Sequence, residues 1–417
     1  MLMMVFLYNF GIKLYSIAIR LAAIFGHPKA KLWIEGRQHV FDDLRKKISE
    51  NDRIIWFHAA SLGEFEQGRP LIEKIKSTHP QYRILLTFYS PSGYEIRKNY
   101  PHADIISYLP LDTRRNAVQF LEIVKPSLVV FIKYEFWYHF LNQATLRGIR
   151  VIYIAALFRP EMLYFSSYFN PFKPVFRKIS HYFVQNSFSK NTLLEKVSCI
   201  DPENISIAGD PRIDRVIEIA AASKEIPLME EFCSDKKILV AGSTWEKDIE
   251  ILKNMQDLSE WKLVIAPHEL KEKYLSNIEN HWNSATCVRY SKANSENCKL
   301  ASVMIIDNIG MLSSLYKYAR IAYIGGGFGG GIHNKLEPMA FGIPVIFGPK
   351  YKRFEEACRM VEQEGAFSVK NWEEFEQIFN KLSDLELYHK ATEVVKNYMI
   401  KSRGATTEIL KYCSTVL

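Results

Sequence analysis

The six cysteines of this chain, Cys199, Cys233, Cys287, Cys298, Cys358 and Cys413, stand far apart with no C-x-x-C pair. That scarcity excludes a cysteine-ligated zinc site and a disulfide framework, and it fits a reducing, cytosolic environment. Glycine and proline are not enriched, no segment is of low complexity, and no repeat recurs at solenoid or propeller period, so fibrous, disordered and repeat architectures fall away. Long uncharged apolar runs are missing too. Lys13 and Arg20 interrupt "MLMMVFLYNFGIKLYSIAIRLAAIFGHP" before it reaches the roughly 18–20 residues that a simple spanning helix needs. A signal peptide is not expected either, because its charges would precede the apolar core and a small-residue cleavage site would follow it.

What is present is apolar bulk and a basic excess. The 417 residues are 48% hydrophobic, enough for two domains of common size. The formal net charge of +8 suits an anionic partner without choosing among nucleic acid, phospholipid and phosphorylated sugar. At the N-terminus, Lys13 and Arg20 lie seven apart and share one helical stripe, while Phe6, Leu7, Leu14, Ile17, Leu21 and Phe25 fill the other faces. That layout matches a helix lying in a membrane interface with its cations among anionic headgroups; an ordinary buried helix is the alternative.

From about residue 54, short β-branched or aromatic runs alternate with turns and helical stretches: "IIWFHAAS", "RILLTFYS", "DIISYLPL", "SLVVFIKYE", "VIYIAALF", "HYFVQN" and "ISIAGD". Being continuously apolar, these predict parallel strands covered on both faces. The pattern loosens in "DRVIEIAAASKEIPLMEEFCSDKK" and resumes with "KILVAGST", "KLVIAPH", "SVMIID", "IAYIGGG" and "IPVIFGP". The expectation is an α/β protein: an apolar helix over 1–28, a doubly wound domain over 29–218, and a second over 219–417 with a linker at 219–236.

Open parallel sheets bind ligands beyond the carboxyl ends of their strands, so polar residues there carry weight. In the first half, Ser61-Leu62-Gly63-Glu64 ends a strand and opens a helix, and Lys133 and Glu135 in "KYEFW" follow another. Glu64 is either an acid favoured by the helix dipole or one of two carboxylates acting as base and orienter for a hydroxyl nucleophile; Gly63 lets the turn be tight and leaves space. Lys133 is either part of that site or a neutraliser of Glu135. Further on, Asp210 and Arg212 in "GDPRIDR" offer a guanidinium fork for phosphate or carboxylate, with an Arg212–Asp214 surface pair as the plain alternative.

In the second half, "IAYIGGGFGGGIHNKLEPMAFGIPVIFGP" leads from a strand through glycines 325–331 into a helix. Gly326 and Gly327 let main-chain N–H groups approach an anion. The loop lacks the Gly-Lys-Ser/Thr ending of a P-loop and the spacing of a dinucleotide fingerprint. His333, Asn334 and Glu337 follow it, with Asn334 and Glu337 expected to meet on one helix face near ribose hydroxyls. Ser243, Thr244 and His268 end neighbouring strands; His268 is either a donor in the site or a helix cap.

Together, "HAASLGEFEQGRPLI", "KYEFW", "GDPRIDRV", "AGSTWEKD" and the glycine block with "HNKLEP" resemble 3-deoxy-D-manno-octulosonic acid (Kdo) transferases over nearly the whole chain. The resemblance implies two Rossmann-like domains facing a cleft, the GT-B glycosyltransferase architecture. It implies transfer of Kdo from CMP-Kdo to a phosphorylated lipid A precursor (lipid IVA) at the cytoplasmic face of the inner membrane, in lipopolysaccharide biosynthesis, without bound metal or nucleic acid. By position it makes Glu64 the general base, Ser61, Gly63, Lys133, Glu135 and Arg212 acceptor-side residues, and Ser243, Thr244, His268, Gly326, Gly327, His333, Asn334 and Glu337 the CMP-binding set. Three positions depart from the pattern: Pro267-His268-Glu269 lacks an Arg that many members have, which Lys271 or Lys273 would replace; Met311 replaces a Glu; and Arg212 replaces a Lys. Two rivals are a GT-B enzyme using a UDP-sugar on a lipid acceptor and a non-catalytic membrane-associated binding protein.

Overall fold

The structure, a computed structural model, describes residues 2–166, 172–198, 200–282 and 286–417, which leaves Cys199 outside the described residues. The other five cysteines are free thiols. Two all-parallel seven-stranded sheets organise the chain. In the first, β1 (Ile54–Ala59), β2 (Arg83–Phe88), β3 (Ile105–Tyr108), β4 (Leu128–Ile132), β5 (Arg150–Ala156), β6 (His181–Val184) and β7 (Ile205–Ile207) run in the order 3-2-1-4-5-6-7. In the second, β8 (Lys237–Thr244), β9 (Trp261–Pro267), β10 (Cys287–Arg289), β11 (Val303–Ile305), β12 (Ile321–Ile324), β13 (Val345–Phe347) and β14 (Ala366–Ser368) run 10-11-9-8-12-13-14.

Every side chain of β1 and of β4 is buried. Along β1, Ile54 and Trp56 enter one core cluster and Ile55, Phe57 and Ala59 the other, the period-two alternation of a strand covered on both sides. The edge strands β10 and β14 have three residues each and no apolar run, so sequence periodicity does not announce them. Arg289 at the end of β10 is instead held by Glu279 at 2.6 Å and Glu272 at 2.7 Å.

The described residues divide into two compact units, residues 1–214 with 403–417, and residues 215–402. The final segment therefore returns to the first unit, whereas the sequence pattern assigns it to the second half. The reason is its apolar stripe: in helix Ala405–Val416, Ala405, Ile409 and Cys413 are fully buried and complete the cluster that covers one face of the first sheet. Asp214 fastens the start of this return, accepting the main-chain N–H groups of Gly404 at 2.6 Å and Thr406 at 2.7 Å. It is thus not the partner of Arg212 that the plain reading supplied.

The N-terminal helix, Leu2–Ile24, is not buried. One side docks on the first unit: the Tyr8 hydroxyl donates to Asp112 at 2.5 Å, Asn9 Oδ1 pairs with His139 Nε2 at 2.6 Å, and the Tyr15 ring stacks on Tyr89. The other side exposes Phe6, Leu7, Phe10, Leu14, Ile17 and Leu21. By length and composition Met3–Ile24 is apolar enough to cross a membrane despite Lys13 and Arg20.

Truncating Ile409 to Ala removes buried methyl groups from beneath the first sheet and is expected to cost about 2–4 kcal/mol. Urea unfolding measures it; a loss below about 0.5 kcal/mol would mean that the returning helix is a passive cover.

Candidate active site

At the carboxyl end of β1, Ser61 precedes helix Leu62–Thr78 in an extended conformation. Its hydroxyl does not cap the main chain; it donates to the Glu64 carboxylate. Glu64 is only 8% exposed, so its orientation is set by a neighbour within its own turn. Gly63 is helical, and a Cβ there would meet only Ser61 Oγ at 3.8 Å. The turn therefore does not require glycine, contrary to expectation, while the open space above it does exist.

Glu135 follows β4, its carbonyl accepting the Tyr153 hydroxyl at 2.8 Å. Burial, and then the negative charge of Glu64, push its carboxyl up to about 7, against the pull of Lys133 and Trp137. The two carboxylates that the sequence singles out thus share one electrostatic environment. Lys133 adopts φ 70° and places its ammonium 4.9 Å from the Tyr134 ring. Among the described residues it forms no ion pair with Glu135.

Beneath these groups lies a network in which the proton positions follow from chemistry. An indole N–H only donates, so Trp137 Nε1, 3.0 Å from His58 Nε2, makes that nitrogen an acceptor. His58 is therefore the neutral Nδ1–H tautomer, donating to Thr87 Oγ1 at 2.9 Å, which also receives Trp56 Nε1 at 2.7 Å and passes its own proton to the Phe57 carbonyl. Burial pushes His58 down to about 3, and protonation would set two N–H groups against each other. On the next residues, Asp112 accepts the main-chain N–H groups of His139 and Phe140 at 3.1 Å each. The segment bearing Glu135 is thus pinned from both ends. His58, Trp137 and Asp112 were not singled out in the sequence; only an abrupt polar residue within apolar runs signals the first.

Arg212, at the start of helix Pro211–Ala221, holds Asp210 through Nε at 2.9 Å and Nη2 at 2.6 Å, and Asp210 also accepts Gln67 Nε2 at 3.0 Å. Its guanidinium is engaged inside the first unit.

The second unit gathers another set. Gly325 lies so close to the last residues of β8 that a Cβ would sit 2.2 Å from the Ser243 carbonyl oxygen; Ser243 itself has φ 54°. Thr244 is fully buried, and its hydroxyl has no partner among the described residues. His268 is no helix cap, since helix Glu272–Glu279 begins beyond Lys271. Its ring stacks on both Trp245 and His333, at centroid distances of 4.5 Å, while Trp245 Nε1 donates to His333 Nε2 at 2.8 Å. Burial, with His268 adding, lowers the His333 pKa.

The glycines lead not directly into a helix but through an irregular stretch to a five-residue helix, Leu336–Ala340. Asn334 precedes this helix and donates to Glu337 Oε1 at 2.7 Å, so the expected pair does meet, across the helix start. Gly326 and Gly327 are in the loop. Lys271 is taken by Glu269 at 2.7 Å, and Met311 sits at the start of helix Leu312–Leu315.

Residues 33–215 match the family model described as 3-Deoxy-D-manno-octulosonic-acid transferase (kdotransferase). The 3-deoxy-D-manno-octulosonic acid transferase of Aquifex aeolicus is 28% identical over 375 residues, 84% of this chain and 92% of that protein. A bifunctional glycosyltransferase/methyltransferase of Fusobacterium nucleatum is 28% identical over 423 residues, 95% of this chain and 62% of that longer protein. Among solved structures, the UDP-GlcNAc 2-epimerase of Neisseria meningitidis aligns with TM-score 0.59 and 16% identity over 87% of this chain and all of that one, which bears out the two-Rossmann GT-B fold.

Because Glu135 holds its proton to about pH 7 in the folded chain but only to the ordinary carboxyl range when unfolded, stability falls as the pH rises through that window. Glu64→Gln removes the like charge, lowers the Glu135 pKa and flattens the fall. Urea unfolding at about pH 5 and pH 8 reads the difference, on the order of 1–2 kcal/mol; parallel curves for wild type and variant would dismiss the coupling.

Proposed function

We propose, from the likeness of residues 33–215 to the Kdo transferase family model and of most of the chain to Kdo transferases, that the chain is a glycosyltransferase of this family and moves Kdo from CMP-Kdo to a phosphorylated lipid A precursor. The observation that carries the reading is the pairing of Glu64 and Glu135 at adjacent strand ends, one oriented by Ser61 and the other raised to about 7. Glu64, beside a group that resists ionisation, is the carboxylate left to take a proton.

In the proposed step, the acceptor hydroxyl oxygen forms a bond to the anomeric carbon of Kdo while its proton passes to Glu64. The bond from that carbon to the phosphate oxygen breaks with both electrons, and CMP leaves. One base suffices, and the configuration inverts because no sugar–enzyme bond forms. The second unit takes the nucleotide: the glycine loop offers the phosphate those main-chain N–H groups that it does not spend on itself, as at Phe328 and Gly330, and the Asn334–Glu337 pair faces the ribose hydroxyls. The exposed apolar side of the N-terminal helix, edged by Lys13 and Arg20, supports a seat on the inner membrane's cytoplasmic face, where an amphiphilic acceptor resides.

Transfer from freshly generated CMP-Kdo to a tetraacylated precursor in detergent tests the assignment. Wild type is expected to transfer, and folded Glu64→Ala to lose at least 100-fold in kcat while still binding CMP. Transfer by both proteins would remove Glu64 from its role, and no transfer by wild type would redirect the donor to other nucleotide sugars. Chelation with EDTA is expected to leave the rate unchanged; a loss restored by a divalent cation would add a metal to the step.

A further inference from the structure

A cavity of about 460 Å³ opens beside the glycine loop of the second unit, lined by that loop together with Trp245, Lys247, Asp248, His333 and Arg353. Its charges are unevenly engaged. Asp248 is fully buried, and its oxygens are spent: Oδ1 accepts the Tyr323 hydroxyl at 2.8 Å, and Oδ2 accepts the N–H groups of Trp245 and Gly326 at 2.8 and 2.9 Å. Lys247 and Arg353 form no ion pair or hydrogen bond with any described residue. Nearby Lys335, by contrast, is paired with Glu356 at 2.5 Å.

The placement of Arg353 is specific. Its guanidinium lies 4.9 Å from the Phe354 ring and against the main chain of Gly331, where a Cβ would come within 2.4 Å of Nη2. Gly331 has φ 121°, so the loop both turns there and leaves room for the cation. Within the loop, the N–H groups of Gly329 and Gly331 fold back onto the Gly326 carbonyl at 2.9 and 3.1 Å. This holds an unpaired guanidinium, one edge against Gly331, beside a tightly folded loop, and its remaining donors match the oxygens of a phosphate or a carboxylate.

We propose that Arg353, supported by Lys247, is the specificity-determining cation for the anionic part of the donor. This rests on the donor reading above and deepens it. A nucleoside-monophosphate sugar acid carries a phosphate and a carboxylate on the same anomeric carbon, so an unpaired cation group can meet both there, whereas a nucleoside-diphosphate hexose presents its diphosphate and no carboxylate at that carbon. The sequence offered Lys271 and Lys273 for a missing positive charge; Lys271 is committed to Glu269, whereas Arg353 is uncommitted and faces the cavity.

The test compares wild type with Arg353→Gln and Arg353→Lys, using calorimetric binding of cytidine, CMP and inorganic phosphate to the whole protein and KM for CMP-Kdo. Arg353 is exposed, so the variants are expected to fold, and an unchanged Tm verifies it. Arg353→Gln is expected to leave cytidine affinity unchanged and to raise KM for CMP-Kdo at least tenfold, with Lys recovering part of the loss. A parallel tenfold loss for CMP assigns the cation to the phosphate; unchanged CMP binding assigns it to the sugar carboxylate. Unchanged KM together with unchanged CMP binding overturns the proposal. If wild type transfers no Kdo, the donor reading fails separately, and binding of CMP and phosphate then decides: weaker binding by Arg353→Gln retains the anion site, and equal binding removes it.

Discussion

A parallel sheet covered on both faces has no place for charge except at its ends, and this constraint shapes each unit. Along β1 and β4 every side chain is buried, so the polar groups of these segments are either satisfied within the core, as His58 is, or displaced to the strand ends, as Glu64 and Glu135 are. The chemistry gathers where the hydrophobic effect permits it. The same geometry explains why the glycine loop of the second unit follows β12 and why Thr244 and His268 meet it from the ends of β8 and β9.

Supporting groups give these ends their properties. Ser61 orients Glu64 within a single turn, whereas Glu135 depends on contacts distant in sequence: Tyr153 on its carbonyl, the Trp137–His58–Thr87 chain below, and Asp112 on the helix that follows. Asp112 is also where Tyr8 of the N-terminal helix attaches. The apolar helix and the candidate base pair are therefore built on one continuous hydrogen-bonded frame.

Much of this was legible in the residues. The longer strands announce themselves by uninterrupted apolar runs, and Glu64, Glu135, Asn334 and Glu337 stand out as polar residues at strand or loop ends. The three-residue edges β10 and β14 were not legible, because a strand so short is too brief to show a periodic pattern. Arg353 was hidden for another reason: in "GPKYKRFEEA" it is one cation among several, and only the fold sets it against Gly331. The protonation of His58 likewise depends on Trp137, 79 positions away.

The return of helix Ala405–Val416 to the first sheet has a consequence for how the chain is made. Synthesis proceeds from the N-terminus, so the first sheet emerges long before the helix that seals one of its faces, and the whole second unit is translated in between. At about 5–20 residues per second that interval lasts on the order of tens of seconds, during which Ile55, Phe57 and their neighbours lack part of their cover. A nascent chain of this design holds an open apolar surface on the ribosome until residues 405–416 have left the tunnel and can close it.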